Sequence, residues 1–403
     1  MKQYTEFDLI VLGGGAAGLM ASLTAGQLGR RVLVLEASNK VGKKILMSGG
    51  GRCNFTNLEV EASHFLSSNP HFVKSALKQY TNWDFISLVA THGIEYHEKA
   101  HGQLFCDHSA KDILNMLLHE CDRGNVEIRT KCEVAMVEHE EGADASSFKV
   151  QTNQGQFSAP NLVVATGGLS IPSLGGATGF GYKLAEQFGL HVHKTEASLV
   201  PMTLAGKWHD FSAPLSGVSV PVVAEVESKG FVEKLLFTHR GLSGPAILQL
   251  SNYWQLGESI VVNLLPSVDL KEALSLVKNN TPKFTINNVL KGHLPKSLID
   301  AMQILWWKDE PLQNFKYTEL ETIAEKIHRW QFTPSGTEGY RTAEVTRGGV
   351  DVSQISSKTM EVNNTKGLFF VGEVLDVTGH LGGFNFQWAW SSGYVAGKYV
   401  AEQ

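Results

Sequence analysis

Residues 8–36 limit what this chain can fold into more than any other stretch. Asp8-Leu9-Ile10-Val11-Leu12 is a short apolar run suited to a buried parallel strand. Gly13-x-Gly15-x-x-Gly18 then turns the chain, Ala16 to Leu28 carries helical periodicity, and Arg31 to Glu36 returns as a strand. Glu36 stands eighteen residues after Gly18. A Gly-x-Gly-x-x-Gly alone says little. Between a strand and a helix, and followed by an acid at this distance, it reads as a dinucleotide-binding βαβ unit. The physics is direct: glycines let the backbone approach a pyrophosphate, whose charge meets the helix N-terminus. Glu36 is expected to take the ribose hydroxyls.

The 40 glycines are clustered at 13–18, 49–51, 167–181, 348–349 and 379–383. Ser48-Gly49-Gly50-Gly51-Arg52-Cys53-Asn54 is a second backbone-only surface, soon after the first. A nicotinamide-dependent dehydrogenase needs one such unit. An FAD protein also needs backbone around the ribityl chain and flat ring, where side chains would obstruct. Other segments fit that need: Ala165-Thr166-Gly167 closes one apolar run, and Gly372-Glu373-Val374-Leu375-Asp376 closes another. Asp376 is expected at the ribityl hydroxyls or the pyrophosphate. Gly382-Gly383-Phe384-Asn385-Phe386-Gln387 opens the last helix, whose first amides would face the flavin N1–C2=O edge. A carboxylate at Asn385 would then lower the flavin potential.

Composition excludes several classes. At 403 residues the chain has room for two or three domains, and 43% apolar with 19% charged residues is ordinary for a soluble globular protein. The net charge is −5 with no long run of either sign, which argues against a basic nucleic-acid surface. No apolar run reaches the roughly 18–20 residues that span a bilayer. The opening residues leave no room for a signal peptide, so a cytoplasmic location is expected. Cys53, Cys106, Cys121 and Cys132 form no CxxC pair, so neither a zinc ribbon nor a dithiol centre is expected.

The segments "GGGAAGLMAS", "GKKILMSGGGRCNFTN", "ATGGLSIPSLGGATGFGY", "LFTHRGLSGPAIL", "AEVTRGGV" and "GLFFVGEVLDVTGHLGGFNFQWAWSSGYVAG" run in order from residue 11 to 397. Together they resemble a bacterial flavoprotein family that includes aminoacetone oxidase-like and bile-acid flavin oxidoreductase (BaiN-type) proteins. The resemblance implies an α/β fold: a Rossmann-like, glutathione-reductase-type FAD domain with an inserted β-barrel and a helical insert. It implies Gly13, Gly15, Ala16, Ala17 and Gly18 at the pyrophosphate and Glu36 at the adenosine ribose. Lys44 and Gly50, Gly51, Arg52, Cys53 and Asn54 would fall beside the flavin, with Val134 beside adenine through its backbone. Thr166, Gly167, Asp376, Gly383, Asn385, Phe386 and Gln387 would complete the pocket. The chain departs from the family's commoner pattern at "GQLFCDHS" (102–109) and at His380, in a variable turn beside the ring.

The textures give domain boundaries. Residues 1–194 and 341–403 are expected to form the FAD domain, 195–267 the first part of a β-rich domain, 268–325 a helical insert, and 326–340 the return through the β-rich domain. The substrate cleft is expected where these meet. Val218–Val226, Leu235–Thr238 and Ile260–Leu265 read as antiparallel strands, with Pro221 marking an edge or bulge. His92, His97, His101, Cys106 and His108 match no zinc spacing and read as solvated histidines in a polar loop, and no metal site is expected. Cys53 reads as a small packing residue rather than a redox thiol. His191-x-His193 reads as alternation along a strand. Arg347 is balanced between an anion-binding cation and a turn residue. "GGATGFGY" (175–182) does not follow a strand directly, so no dedicated nicotinamide domain is expected.

These readings converge on an oxidoreductase with non-covalent FAD. It would pass hydride to or from a small-molecule substrate, with NAD(P)H a possible electron donor and with no nucleic-acid or membrane partner. The alternatives are an FAD-containing tRNA-modifying enzyme and a non-catalytic flavin-binding protein. No general base is identifiable from the sequence.

Overall fold

A computed structural model describes residues 4–141, 146–227 and 229–403. The chain divides into two compact units, 1–197 with 345–403, and 198–344.

The first unit is built on a five-stranded parallel sheet. Its strand order is Leu368–Phe370, Asn161–Val164, Leu9–Leu12, Val32–Glu36 and Glu127–Thr130. Register pairs Leu9 with Val32 and Leu162 with both Ile10 and Leu368. Residues 9–12 and 161–164 are wholly buried, as parallel strands covered on both faces must be. The helix Ala16–Gln27 lies over this sheet with small residues on the face that meets the last helix, Phe384–Glu402. A Cβ added at Gly393 would lie 2.4 Å from Ala17 O, and one at Gly397 would lie 2.3 Å from Ala21 O. Only glycine permits that approach, and it fixes the two helices parallel. A four-stranded sheet (Thr5–Glu6, Gly155–Ala159, Ser146–Thr152, Val134–Glu141) flanks the core.

The stretch 92–108, expected to be a polar loop, instead carries the strands Tyr96–Glu98 and Gln103–Cys106, which join Asn54–Asn57 in a three-stranded sheet. Leu104, Phe105 and Cys106 are buried, a short apolar run flanked by histidines and other polar residues. The histidines are paired rather than merely solvated: His92 with Glu120 at 2.8 Å, His108 with Glu95 at 3.0 Å, and His97 with Asp107.

The second unit holds a seven-stranded antiparallel sheet, in the order Trp330–Phe332, Ile260–Asn263, Ser219–Val226, Lys229–Thr238, Gly241–Ser243, Met202–Thr203, Gly336–Thr337. Its two edge strands are separated in sequence by residues 333–335 alone, so the sheet curls until its edges are neighbours. Pro221 pairs with Lys234 on one side, while pairing on the other side starts only at Val223. It therefore sits where no amide donor is needed. Helices Leu270–Asn280, Ile286–Leu290, Lys296–Trp306 and Tyr317–His328 bury Leu274, Leu298, Met302 and Ile323 in the same core.

Candidate functional site

The glycines of the first turn do two different jobs. Gly13 has φ 107°, and a Cβ there would sit 2.5 Å from Ala165 O; a Cβ at Gly18 would sit 1.9 Å from Gly13 O. Those two are required by packing. Gly15, the N-cap of the first helix, has φ −83° and nothing within 4 Å of its Cβ position. Its missing side chain leaves open space at a helix N-terminus whose first turn holds no acidic residue. Glu36 reaches into the same turn: its carboxylate accepts from Gly14 N at 2.9 Å and Ser38 N at 2.7 Å. Cys132 N donates to Glu36 O at 3.0 Å, which brings Val134 within two residues of that acid.

The second glycine surface is a tight turn, Ser48–Gly51, with Gly49, Gly50 and Gly51 at φ 57°, 65° and 87°. A Cβ at Gly49 would meet the Phe105 ring at 2.8 Å, whereas Gly50 and Gly51 face open space. Arg52 is exposed beside them, and Cys53 follows at φ 44°, fully buried. Burial pushes the Cys53 thiol up to about 12, against a weaker opposing hydrogen bond from Ser48, so the thiol stays neutral and packs. The third surface follows the strand Asn161–Val164. Gly167, at φ 70°, has nothing within 4 Å, and Thr166 Oγ1 is buried without a hydrogen-bond partner. A buried hydroxyl with no partner among the described residues, next to the open Gly167, is what a bound group with polar atoms would complete.

Near the start of the first helix lies a charged cluster of Lys44, expected beside the flavin, and Glu373, which was not among the expected site residues. Lys44 Nζ donates to Glu373 at 2.7 Å and to Ser170 Oγ at 2.6 Å. Glu373 also accepts from Thr346 N at 2.9 Å and from Ser170 Oγ at 3.2 Å. Gly372 fixes this acid's place, because a Cβ on Gly372 would come 2.8 Å from Ala17 Cβ, at the start of the first helix. Asp376, chosen from the sequence, turns elsewhere: it accepts from Ser68 N at 2.8 Å and stands 4.0 Å from His193 Nε2. Arg347 is ion-paired with Glu196. His191 and His193, which flank Val192, bring their rings 4.9 Å apart, edge to face.

The last helix supplies the fourth surface. Gly393 packs on Ala17, and Phe384 precedes Gly393 by nine residues, so the last helix begins about 13 Å beyond the start of the first. Two residues expected at the pocket from this segment have their side-chain amides hydrogen-bonded within the protein. Gln387 is fully buried, accepting from Thr56 Oγ1 at 2.6 Å and donating to Tyr80 O at 3.3 Å. Asn385 folds back, accepting from Gly379 N at 2.8 Å and donating to Gly379 O at 2.9 Å and His380 O at 3.3 Å. Its side-chain amide pins the 379–385 turn. Phe386 stacks on Trp390. Asn54, with its amide turned to satisfy its neighbours, accepts from Gly383 N at 3.1 Å and donates to Thr56 O and Leu104 O. A Cβ at Gly383 would strike Thr56 O at 2.4 Å, so this glycine is required by packing.

The HI0933-like protein Rossmann domain model matches residues 7–399. The chain belongs to this family. The HI0933-like chain is similar, at 52% identity over the whole of both chains, to a ribosomal RNA dihydrouridine synthase of Haemophilus influenzae. It is similar at 30% identity, over 98% of each chain, to a 3-dehydro-bile acid delta(4,6)-reductase of Clostridium scindens, which bears out the resemblance drawn from its motifs. Among solved structures, a 3-ketosteroid-delta4-(5alpha)-dehydrogenase of Rhodococcus jostii shares the fold with TM-score 0.52 at 14% identity, covering 100% of this chain and 98% of that one. No helix among the described residues is long and apolar enough to cross a membrane, and no group of three or more metal-ligating side chains occurs among them. A surface cavity of about 490 Å³, bordered by His92, Glu95, His108 and Asp112, shares no residue with the glycine cradle.

Proposed function

We propose that this protein is an FAD-dependent oxidoreductase that reduces the C5=C6 bond of a uridine in ribosomal RNA. The observation that carries the reading is the 52% whole-length identity to an enzyme named for that product, in a chain whose glycine cradle is laid out for a dinucleotide. The bile-acid relative supports the reaction type. Both names describe hydrogenation of a carbon–carbon double bond conjugated with a carbonyl, one in a pyrimidine and one in a 3-oxo steroid.

The first-turn amides at Gly15 to Ala17 would hold the pyrophosphate, and Glu36 the ribose hydroxyls. Gly50, Gly51 and Gly167 would pass as bare backbone along the ribityl chain and ring, with Thr166 Oγ1 finding its missing partner there. The offset of about 13 Å between the two helix starts suits an extended cofactor, with phosphate at one end and flavin at the other. Bound FAD would supply hydride chemistry. Lys44, neutralised by Glu373 and hydrogen-bonded to Ser170, would order the cradle wall at the first helix's N-terminus without adding net charge. Arg52, exposed at the rim and in no ion pair among the described residues, would meet an RNA phosphate. The expectation of no nucleic-acid partner rested on a net charge of −5 without a basic run, a sum over the whole surface that does not decide one local patch. The electron donor in this reading is NAD(P)H, arriving without a Rossmann unit of its own.

The test is ribosomal RNA from a strain lacking the gene, digested to nucleosides and analysed by mass spectrometry. Loss of one dihydrouridine, restored by the wild-type gene and by the purified protein with NAD(P)H, is the expected result. Unchanged dihydrouridine in the deletion strain would overturn the reading.

A further inference from the structure

We propose that His64 is the substrate-recognition group, donating a hydrogen bond from Nε2 to the carbonyl oxygen conjugated with the double bond being reduced. This rests on the reductase reading above and assigns it a residue that neither the motifs nor the relatives' names indicate.

The tautomer is set by the backbone. Glu61 N donates to His64 Nδ1 at 3.2 Å, so in the neutral ring the proton sits on Nε2. Among the described residues Nε2 has no partner. Burial keeps the ring neutral by pulling its pKa below the usual histidine value, against smaller opposing pulls from Glu61 and Glu59.

The ring is also held in place. It packs on Phe384 with centroids 4.5 Å apart at 30°, and edge-on to His380 at 5.8 Å. Phe384 is the first residue of the last helix, which puts His64 at the end of the cradle opposite the first-turn glycines. His380 N donates to His64 O at 2.9 Å, and Thr378–Gly379 pairs antiparallel with Phe65–Leu66. Asn385 locks the other side of the same turn. A half-buried donor of fixed tautomer, packed against the contacting rings of Phe384 and His380, suits a flat carbonyl-bearing ring better than a phosphate or a sugar.

The chemistry gives that donor a use. Bound reduced FAD would supply a hydride to the β-carbon, and the π pair of the double bond would shift toward the carbonyl, leaving an enolate with negative charge on oxygen. The α-carbon then takes a proton from solvent and the carbonyl re-forms, a net gain of two hydrogens. His64 keeps its proton throughout and stabilises the oxygen where charge develops.

The test uses an enolate mimic, so that it does not depend on the natural substrate. The oxidised holoenzyme is titrated with 4-chlorophenol while the flavin's visible band is followed, since a bound phenolate oxygen stands in for the enolate. Wild type is expected to bind, and His64→Phe to bind about tenfold or more weakly with unchanged FAD content. His64→Gln keeps an acceptor for Glu61 N and an N–H in place of Nε2, so it should stay within about threefold of wild type. Equal binding by His64→Phe, or no spectral change with wild type, overturns the proposal. Failure of the RNA reading would show separately, as unreduced uridine with the phenol titration intact.

Discussion

Gly15→Val separates cofactor binding from folding, because among the described residues no atom beyond Gly15 and its chain neighbours lies within 4 Å of the added Cβ. Gly15 has φ −83° and ψ −170°, an extended conformation open to any residue. The folded chain loses a good N-cap residue, at about 0.5–1 kcal/mol, and the unfolded chain loses freedom worth about as much in the opposite direction. The apo-protein's stability should therefore stay within about 1 kcal/mol of wild type. The valine methyls occupy the space a pyrophosphate would need, so FAD should be absent after purification. The variant then lacks the stabilisation a ligand gives, about 2.7 kcal/mol at a hundred times its Kd.

Gly18→Ala is the control with the opposite outcome. Its Cβ would lie 1.9 Å from Gly13 O and 3.2 Å from Ala165 Cβ, so helix and strand must part, at a cost of about 3 kcal/mol or more. The assay is urea unfolding of FAD-stripped proteins, alongside flavin absorbance of the proteins as purified. A yellow Gly15→Val with full FAD content would refute the placement of the pyrophosphate. A stripped Gly15→Val as unstable as Gly18→Ala would refute the division of the glycines into packing and cradle.

Glu373→Gln leaves the Lys44 ammonium with Ser170 as its remaining partner and should cost about 1–3 kcal/mol in urea unfolding; no loss would show that the cluster does not hold the turn. All four cysteines are buried and free, so a thiol reagent at pH 8 should modify none of them until denaturant is added; prompt labelling of Cys53 in the native protein would contradict its packing role. Asn385→Asp should loosen the 379–385 turn, because a carboxylate would face the Gly379 and His380 carbonyls; its expected signature is a lower melting temperature, and an unchanged one would refute the pinning role. His64 and His328 both have pKa values lowered mainly by burial, so between those values and the ordinary 6.5 the unfolded chain binds more protons than the fold. That stability is complete above about pH 6.5 and is lost as pH falls through the window, so unfolding free energy should rise with pH there, and His64→Gln should flatten the rise; an unchanged slope would refute the assignment.

The βαβ unit was readable because its constraints are local. Gly13 and Gly18 are forced by a turn and a close helix–strand contact, Gly15 stands open between them, and all three fall within one short segment; the fully buried runs at 9–12 and 161–164 show as continuous apolar stretches. Pairings between distant segments leave no period to read. The strands Phe65–Leu66 and Thr378–Gly379 are two residues each, and the hairpin at 96–106 hides its buried Leu104 and Cys106 among histidines. Glu373 and Asp376 are indistinguishable in the sequence for the same reason. Both acids follow one apolar strand, and only the arrival of Lys44 from one side and Ser68 from the other tells them apart. A signal was present, since Glu373 directly follows Gly372, whose φ of 73° marks a sharp turn at the strand's end.

The same contrast explains which site residues the sequence could identify. A glycine facing a ligand and a glycine facing a backbone look alike in sequence, yet both mark a place where backbone meets something closely, so the cradle's outline could be read before its contents. Asn385 and Gln387 are different: each offers a donor and an acceptor that can be satisfied locally, across the chain, or by a ligand. The structure satisfies Asn385 locally at Gly379 and Gln387 across the chain at Thr56 and Tyr80. His64 differs from both, because Glu61 N takes one ring nitrogen and thereby fixes the proton on the other. Its function depends on that remaining N–H, which only the three-dimensional neighbourhood of Phe384 and His380 reveals.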